Sequence, residues 1–429
     1  MKRADMTPSQ ASVLLGGAPC APLTAEDVRH LTIVGKYGWP VSQLAADAAG
    51  REHTVLAIDL AGDDELAPIH AELAKLAGDK LAAAAKAYAE TIGAEQILIA
   101  APEGVDVPVE GAQVVRTPAN PVLREESALY HMLDTGELRS APLEKAFPSE
   151  GYRGLPTVPV DGETLLRLYA MTRPDYAPTK LTVVRRGGED LLAEVRVGTP
   201  VGQLLGELGI DVKKPVLVGG VTGRFEAKPG DVAFTEDARF DSIACFGEKD
   251  CVVDATAKLL ARAQAQSCEK CVLCREGTWH LAGIFSGITA GKGKKEDLDM
   301  VLDIGPLIRV GAFCAFGRGM ADLAVSCVEA CRDELEAHIV RKKCPAGVCA
   351  AFSKKVYCID PKLCTGCGDC EDACQEMAIE GKKKFIYMID QDMCTGCGDC
   401  ADSCDEGAIV VNDGGIKLPK KLTKVGKFK

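Results

Sequence analysis

Cysteine is nearly missing from the first half of this 429-residue chain: Cys20 stands alone, and every other one of its twenty cysteines lies at or after Cys245. A secreted disulfide scaffold would spread them; crowding at metal-ligand spacings fits a reducing cytosol and metal cofactors. No apolar run approaches the roughly 18 residues that span a bilayer, and MKRADMTPSQ lacks the apolar centre of a signal peptide. A soluble, cytoplasmic protein is therefore expected. Positive charge is in deficit as well: the net charge of −12 argues against nucleic acid as a partner. Ser-His-Asp, Walker and zinc-hydrolase signatures are missing too, and GGVTGRF (219–225) and LLGGAP (14–19) are too sparse in glycine for phosphate loops and read as turns.

What is present is a repeat. VYCIDPKLCTGCGDCEDACQEMAIEG is followed by IYMIDQDMCTGCGDCADSCDEGAIVV, so Cys364, Cys367, Cys370 and Cys374 recur thirty positions on as Cys394, Cys397, Cys400 and Cys404. C-x2-C-x2-C-x3-C lets three thiolates converge on one cubane while the fourth crosses to the other cluster. One [4Fe-4S] cluster is then expected on Cys364, Cys367, Cys370 and Cys404, and a second on Cys374, Cys394, Cys397 and Cys400. Disulfides or zinc sites would need no such tandem. Gly366, Gly368, Gly396 and Gly398 let backbone amides approach the sulfurs. The carboxylates Asp369, Glu371, Asp372, Asp399, Asp402 and Asp405 should disfavour reduction and hold the potentials low. Gln375 and Asp405 stand where this motif usually places proline, so a looser turn is expected there.

Cys268, Cys271 and Cys274 form a C-x2-C-x2-C triplet, three corners of a further cubane. Cys314, one helical hairpin downstream in VGAFCAFGRG, is the expected fourth ligand, with a zinc site as the alternative. Between this region and the repeats, CPAGVC has zinc-knuckle spacing with His338 close before it. A Cys3His zinc site on Cys331, His338, Cys344 and Cys349 is the favoured assignment, buried reduced thiols being the alternative. Cys358, opposite Met388 in the repeat, reads as packing.

A chain of this length, with 47% hydrophobic residues and mean hydropathy +0.04, should hold roughly two to four domains. The order of patterns divides it as a lead-in (1–23), an α/β domain (24–178), a β-grasp-like module (179–248), a helical bundle (249–343), a dicluster ferredoxin domain (344–412) and a basic tail (413–429). In the α/β domain HTVLAIDL, ILIAAP and AQVVRT read as strands, with a helical pair from Glu65 to Ile92 broken near Gly78; strand, helix and strand suggest a crossover. KLTVVRR, LAEVRV and PVLVGG are short strands around the small helix PVGQLLGELG. DATAKLLARAQAQ and the segments after it have helical period. The tail IKLPKKLTKVGKFK reads as a solvated arm, with docking to an acidic partner subunit as the other reading.

SCEKCVLCREGT followed by GAFC resembles the cluster-binding region of the flavoprotein subunit of respiratory complex I (NADH dehydrogenase). The whole order is similar to the β subunit of electron-bifurcating [FeFe] hydrogenases, from about residue 35 onward. The resemblance implies a multidomain α/β protein: a flavoprotein-subunit-like α/β domain, a β-grasp module of the soluble-ligand-binding kind, a helical-bundle [4Fe-4S] domain and a bacterial-ferredoxin-like dicluster domain. It also implies Cys314 as the fourth bundle ligand and a structural zinc near Cys344. Four family elements depart, however. The glycine-rich flavin loop has become IVGKYGWPVSQL (33–44), keeping Gly35, Gly38 and Pro40 but placing Tyr37 and Trp39 where backbone must approach a ligand. AIDLAGDDELAP keeps Asp59 and a shifted Asp63 and Asp64; TPANPVLREESAL keeps Arg124, Glu125, Glu126 and Ser127; PTVPVDGET keeps Glu163 and Thr164 without the flavin-facing asparagines. Together they weigh against bound FMN and more strongly against NAD(H). Lone Cys20 cannot hold a [2Fe-2S] centre.

The resulting expectation is an electron-transfer subunit with three [4Fe-4S] clusters and no catalytic residue of its own. It would relay electrons between a catalytic partner of hydrogenase, formate dehydrogenase or reductase type and ferredoxin or a similar carrier. The alternatives are a complete FMN-containing NAD(P)H-oxidising or bifurcating subunit, and a structural scaffold.

Overall fold

The structure, a computed structural model, describes residues 2–3, 14, 40–64, 67–140, 151–171, 173, 176–352, 356–411, 416–419 and 421–428. The chain divides into two compact units, 1–351 and 352–429, so the loop bearing Cys344 and Cys349 goes with the first unit. Among the described residues no helix is long and apolar enough to cross a membrane.

Strand β1 (Lys2–Arg3) precedes the first layered region. There β2 (Val55–Asp59), β3 (Gln96–Ala101), β4 (Gln113–Arg116) and β5 (Thr157–Asp161) make a parallel sheet in the order β4-β3-β2-β5. Parallel strands are covered on both faces, and all five residues of β2 are buried. Alternation divides them: Leu56 and Ile58 enter a core with α2 (Ile69–Ile92), whereas Val55 and Ala57 face Leu129 and Leu133 of α3 (Glu126–Thr135). α1 (Val41–Ala48) and α4 (Gly162–Ala170) lie with α2. The expected break in the long helix is a kink at Ala77 (φ −143°, ψ 28°), and the helix begins at Ile69 after Pro68, not at residue 65. The flavin-type loop 33–39 and most of LLGGAP lie outside the described residues.

A second sheet follows: β6 (Thr179–Arg186), β7 (Glu189–Arg196), β8 (Val216–Val218), β9 (Arg224–Glu226) and β10 (Ser242–Cys245), in the order β1-β7-β6-β10-β8-β9. β6 and β7 form an antiparallel hairpin, and β10 runs parallel to β6. Helix α5 (Val201–Glu207) covers one face through Leu204 and Leu205, while Leu181 and Val183 on the other face enter the core of the first sheet. GGVTGRF is a 3-10 turn at Gly220–Thr222 running directly into β9.

The bundle comprises α6 (Val252–Gln266), α7 (Val272–Thr289), α8 (Glu296–Gly311), α9 (Ala315–Ala330) and α10 (Arg332–Ile339). Small residues set its close contacts. A Cβ on Gly305 would lie 2.3 Å from Val325, and one on Gly319 2.5 Å from the Thr222 carbonyl oxygen, so α9 presses against both α8 and the β9 turn. The second unit pairs β11 (Tyr357–Ile359) with β14 (Ile409–Val411), and β12 (Ile379–Glu380) with β13 (Met388–Ile389), around α11 (Asp369–Asp372) and α12 (Asp399–Asp402). The first repeat thus supplies one strand to each ribbon at its ends, and the second repeat closes both.

A buried ion network joins the first sheet to the second. Lys180 Nζ lies 2.5 Å from both Glu163 Oε2 and Asp241 Oδ1, and Arg124 bonds Asp241 Oδ2 at 2.6 Å and the Gly62 carbonyl at 2.7 Å. Burial works to lower the Lys180 pKa, but the Asp241 and Glu163 carboxylates hold it above its ordinary value. Removing the amine leaves Glu163 Oε2 and Asp241 Oδ1 buried without their shared cation, with Arg167 still beside Glu163 and Arg124 beside Asp241, so Lys180→Met is expected to lower folding stability by about 3 kcal/mol in urea denaturation.

Candidate iron-sulfur and metal centres

The bundle site is built from two helix starts. Cys271 caps α7, Cys274 lies in its first turn, Cys268 precedes it, and Cys314 caps α9. Both N-termini bring unpaired N–H groups and positive dipole ends to one place, which suits thiolates and an anionic cluster. Phe313 N–H donates to Cys271 Sγ at 3.5 Å. Cys271, Cys274 and Cys314 are buried and Cys268 half-buried. Burial pushes the Cys314 thiol up to about 11, opposed by the Gly317 N–H, with Cys268 and Cys274 close enough to raise it further. The triplet and Cys314 are thereby brought together. Gly317 is the spacer: a Cβ there would lie 2.9 Å from Cys274 Sγ and 2.7 Å from Ala312 Cβ.

In the second unit Cys364, Cys367, Cys370 and Cys404 line one small cavity with Tyr387, Ile359 and Ile409. The fourth cysteine of the second repeat therefore faces the first triplet. On the other side, burial raises the Cys400 thiol, as do Cys397, Cys394 and Cys374 beside it. Burial, then Cys364 and Cys367, push Cys370 up to about 12. Gly368 (φ 107°) and Gly398 (φ 98°) take left-handed turns that bring the chain under a tyrosine from the other repeat: a Cβ at Gly398 would meet the Tyr357 hydroxyl at 2.8 Å, and one at Gly368 that of Tyr387 at 3.0 Å. Without proline after the fourth cysteines, Gln375 and Asp405 are exposed, yet both turns close through Met377 N–H to the Cys374 carbonyl (3.1 Å) and Gly407 N–H to the Cys404 carbonyl (3.0 Å). Ala378 N–H also donates to Cys374 Sγ at 3.3 Å. Cys358 is buried in β11 opposite Val410.

A separate buried group collects Cys251, His338, Cys344 and Cys349, whose ligand atoms all lie within 4.8 Å of one another. Cys251 Sγ is 3.4 Å and Cys349 Sγ 3.5 Å from His338 Nε2, and the two sulfurs are 3.7 Å apart. Zinc bonds of about 2.3 Å to sulfur and 2.0–2.1 Å to nitrogen make a tetrahedron with edges of about 3.5–3.8 Å, so the donor set fits zinc. His338 Nδ1 faces the Glu334 carbonyl at 2.8 Å, which turns Nε2 toward the sulfurs as the ligand atom. Burial pushes Cys344 up, but the N–H groups of Cys349 and Val348, with Cys349 and His338, outweigh it and hold the thiol down at about 6.

The fourth member is Cys251 and not the Cys331 favoured by spacing. Cys331 sits at the start of α10, seven residues before His338, and at 1.5 Å per residue that is about 10 Å along the helix axis. Its thiol lies beside Cys327 instead. Cys251 caps the start of α6, which leads into the bundle. Its one sequence signal is a cysteine without another role just ahead of a helical run.

The retained acidic residues of the flavin-type segments have internal partners. Asp59 accepts from Ala61 and Gly62 N–H at 2.8 Å each; Asp63 accepts from His70 N–H at 2.7 Å; Asp64 accepts from Val221 N–H at 3.2 Å. Glu163 accepts from Leu181 N–H at 2.8 Å as well as facing Lys180.

Fold and cysteine geometry together define an iron-sulfur protein that binds [4Fe-4S] clusters in two separate regions. Residues 254–338 match the NADH-ubiquinone oxidoreductase-F iron-sulfur binding region, and residues 363–408 a 4Fe-4S dicluster domain. The chain is more particularly similar to the F-type subunits of NADH-quinone oxidoreductase and to the hydrogenase subunit HndC. It is 33% identical over 291 residues to NADP-reducing hydrogenase subunit HndC of Solidesulfovibrio fructosivorans, covering 61% of this chain and 59% of that one. It is 40% identical over 104 residues to the F-type subunit of NADH-quinone oxidoreductase from Streptomyces coelicolor, 24% of this chain and 23% of that one. The match thus spans less than two thirds of either relative. A chain of an NAD+-reducing [NiFe]-hydrogenase in the H2-reduced state shares the fold, with TM-score 0.63 and 19% identity over 78% of this chain and 66% of that chain.

Gly317→Ala is expected to force Cys274 from its position. Helix propensity alone would favour alanine, so a loss of about 1–3 kcal/mol in thermal unfolding, with less iron retained at the bundle, would mark the collision.

Proposed function

We propose that this chain is an electron-transfer subunit of a multisubunit oxidoreductase of the NADH-quinone oxidoreductase or NADP-reducing hydrogenase type, relaying electrons through three [4Fe-4S] clusters. The observation that carries the reading is the cavity walled by Cys364, Cys367, Cys370 and Cys404, the cross-over geometry of a dicluster ferredoxin. Its counterpart would use Cys374, Cys394, Cys397 and Cys400, and the bundle cluster Cys268, Cys271, Cys274 and Cys314. Bound clusters would supply one-electron redox chemistry. The chain's own part is to fix sulfur positions, exclude water with Tyr357, Tyr387 and the buried strands, and direct N–H groups at sulfur.

The strand order β7-β6-β10-β8-β9, with β6 parallel to β10, supports a β-grasp module at 179–248. Internal satisfaction of Asp59, Asp63, Asp64 and Glu163 supports a first domain that serves structure and subunit contact without FMN or NAD(H). Zinc on Cys251, His338, Cys344 and Cys349 would tie α6, α10 and the following loop together. A cytoplasmic setting, a catalytic partner and a ferredoxin-like acceptor complete the reading.

Anaerobic reconstitution should give about twelve irons per chain, four for each cubane. Cys314→Ala should remove one [4Fe-4S] EPR signal and spare the ferredoxin pair; loss of every signal, or of none, would sink the bundle assignment. Stoichiometric FMN with NADH-dependent bleaching would favour a complete flavoenzyme. Cys251→Ser should lose one equivalent of zinc at unchanged iron, while Cys331→Ser keeps it, as measured by plasma emission on the purified chain.

A further inference from the structure

We infer that the second unit presents a lysine-rich docking face for a small acidic iron-sulfur carrier, placed beside the Cys364–Cys367 ligand loop. The inference rests on the relay reading above and adds where the carrier binds. Its starting point is the basic tail, whose residues 423–428 are a strap and not the solvated arm that composition suggests. Ile386 N–H donates to the Thr423 carbonyl at 2.9 Å, Val425 N–H to the Lys384 carbonyl at 3.2 Å, and Phe385 bridges Lys424. Val425 and Phe428 pack against the core of the unit.

The strapped segment in turn lies on the ligand loop. Lys384 N–H donates to the Gly366 carbonyl at 3.1 Å, and a Cβ on Gly366 would lie 2.7 Å from the Phe385 carbonyl oxygen. Gly366 separates Cys364 from Cys367, and Cys367 is exposed. Two sets of exposed lysines thus lie close to one ligand loop: Lys382, Lys383 and Lys384 from the turn, and Lys424 and Lys427 from the strap with Lys421 just before it. None of the six makes an ion pair among the described residues. In a chain of net charge −12 this is a local concentration of positive charge, set beside the exposed Asp369, Glu371 and Asp372 that follow Cys367.

Such a face steers an anionic partner by a field that salt screens within about 10 Å at 0.1 M. The overall negative charge opposes extended polyanions and leaves compact acidic proteins as the fitting class. An iron-sulfur carrier is singled out because the face adjoins an exposed cluster ligand. One electron would pass from the cluster on Cys364, Cys367, Cys370 and Cys404, reduced beforehand, to the oxidised carrier. Such a transfer would oxidise the cluster by one electron and reduce the carrier by one, with no bond formed or broken.

The test uses the full chain with clusters reconstituted and an acidic two-[4Fe-4S] ferredoxin as probe. Binding of the oxidised ferredoxin is followed by titration calorimetry, and its reduction by the dithionite-reduced chain, freed of excess reductant, by stopped flow. K382E/K383E/K384E and K421E/K424E/K427E should each weaken binding and slow transfer at low ionic strength about tenfold or more, and flatten the salt dependence. Iron content and EPR spectra should not change, and Lys75→Glu on α2 should have no effect. Should the strap variant fail to hold iron, the turn variant, altered only at exposed side chains, still decides. Wild-type chain that neither binds nor reduces the ferredoxin overturns relay to such a carrier and the docking face together. Wild-type transfer that both triple variants match within twofold overturns the docking face alone, as does tighter binding to anionic vesicles or duplex DNA than to the ferredoxin.

Discussion

Lys180 has nowhere to place its charge except between Glu163 and Asp241, and the arrangement of the first unit follows from that pairing. Glu163 begins α4, Lys180 lies on β6, and Asp241 just precedes β10. The three meet only if the parallel sheet and the second sheet pack in one register. Arg124, on Asp241 and the Gly62 carbonyl, draws in the loop after β2. Asp64 in that loop reaches Val221 of the β9 turn and lies 3.7 Å from Arg262 on α6. Asn120 completes the connection by donating to the Gln266 carbonyl at 3.1 Å. Apolar contact would tolerate many relative positions of these layers. Buried charges do not, because a displaced partner leaves an ion in low dielectric.

This network also gives a physical meaning to the acidic residues that survive in the flavin-type segments. In sequence they look like remnants of a nucleotide site. In the fold, Asp59 holds the turn after β2, Asp64 holds the β9 turn, and Glu163 holds Lys180 and the start of β6. A carboxylate committed to backbone N–H groups and a buried amine has structural reason to stay whatever becomes of a ligand.

What can be read from the chain depends on how local its cause is. The cysteine repeats, the strands at 55–59 and 96–101 and the helices from 252 onward are set by spacings of a few residues, and sequence reasoning places them. Strand β5 is hidden because TVPVD carries a proline and looks like a binding segment; strand β10 is hidden because SIAC is only four residues long. Cys251 is illegible for a different reason. It is 87 residues from His338, and only the packing of α6 against α10 joins them. The tail misleads because its lysines dominate the composition, while Val425 and Phe428, three residues apart, supply the anchor.

The four cysteine groups share one construction. Under the proposed assignments each would combine ligands close in sequence with at least one that only tertiary structure can deliver: Cys314 for the bundle triplet, Cys404 and Cys374 exchanged between the repeats, Cys251 for the histidine site. A triplet alone can capture metal in an unfolded chain, but it cannot close a four-ligand site. Completing the set closes a long loop, whose entropic cost grows only slowly with length, while the last metal bond is gained only in the native arrangement. Metal binding at these sites would therefore be coupled to folding. The same coupling bears on sorting. With so many thiols in one chain, local spacing would decide which three cysteines associate first, and the fold which fourth they accept. Tyr357 and Tyr387 exemplify the second control, since each rises from one repeat to cover the glycine turn of the other. Neither dicluster turn is thus shielded until both repeats have folded together.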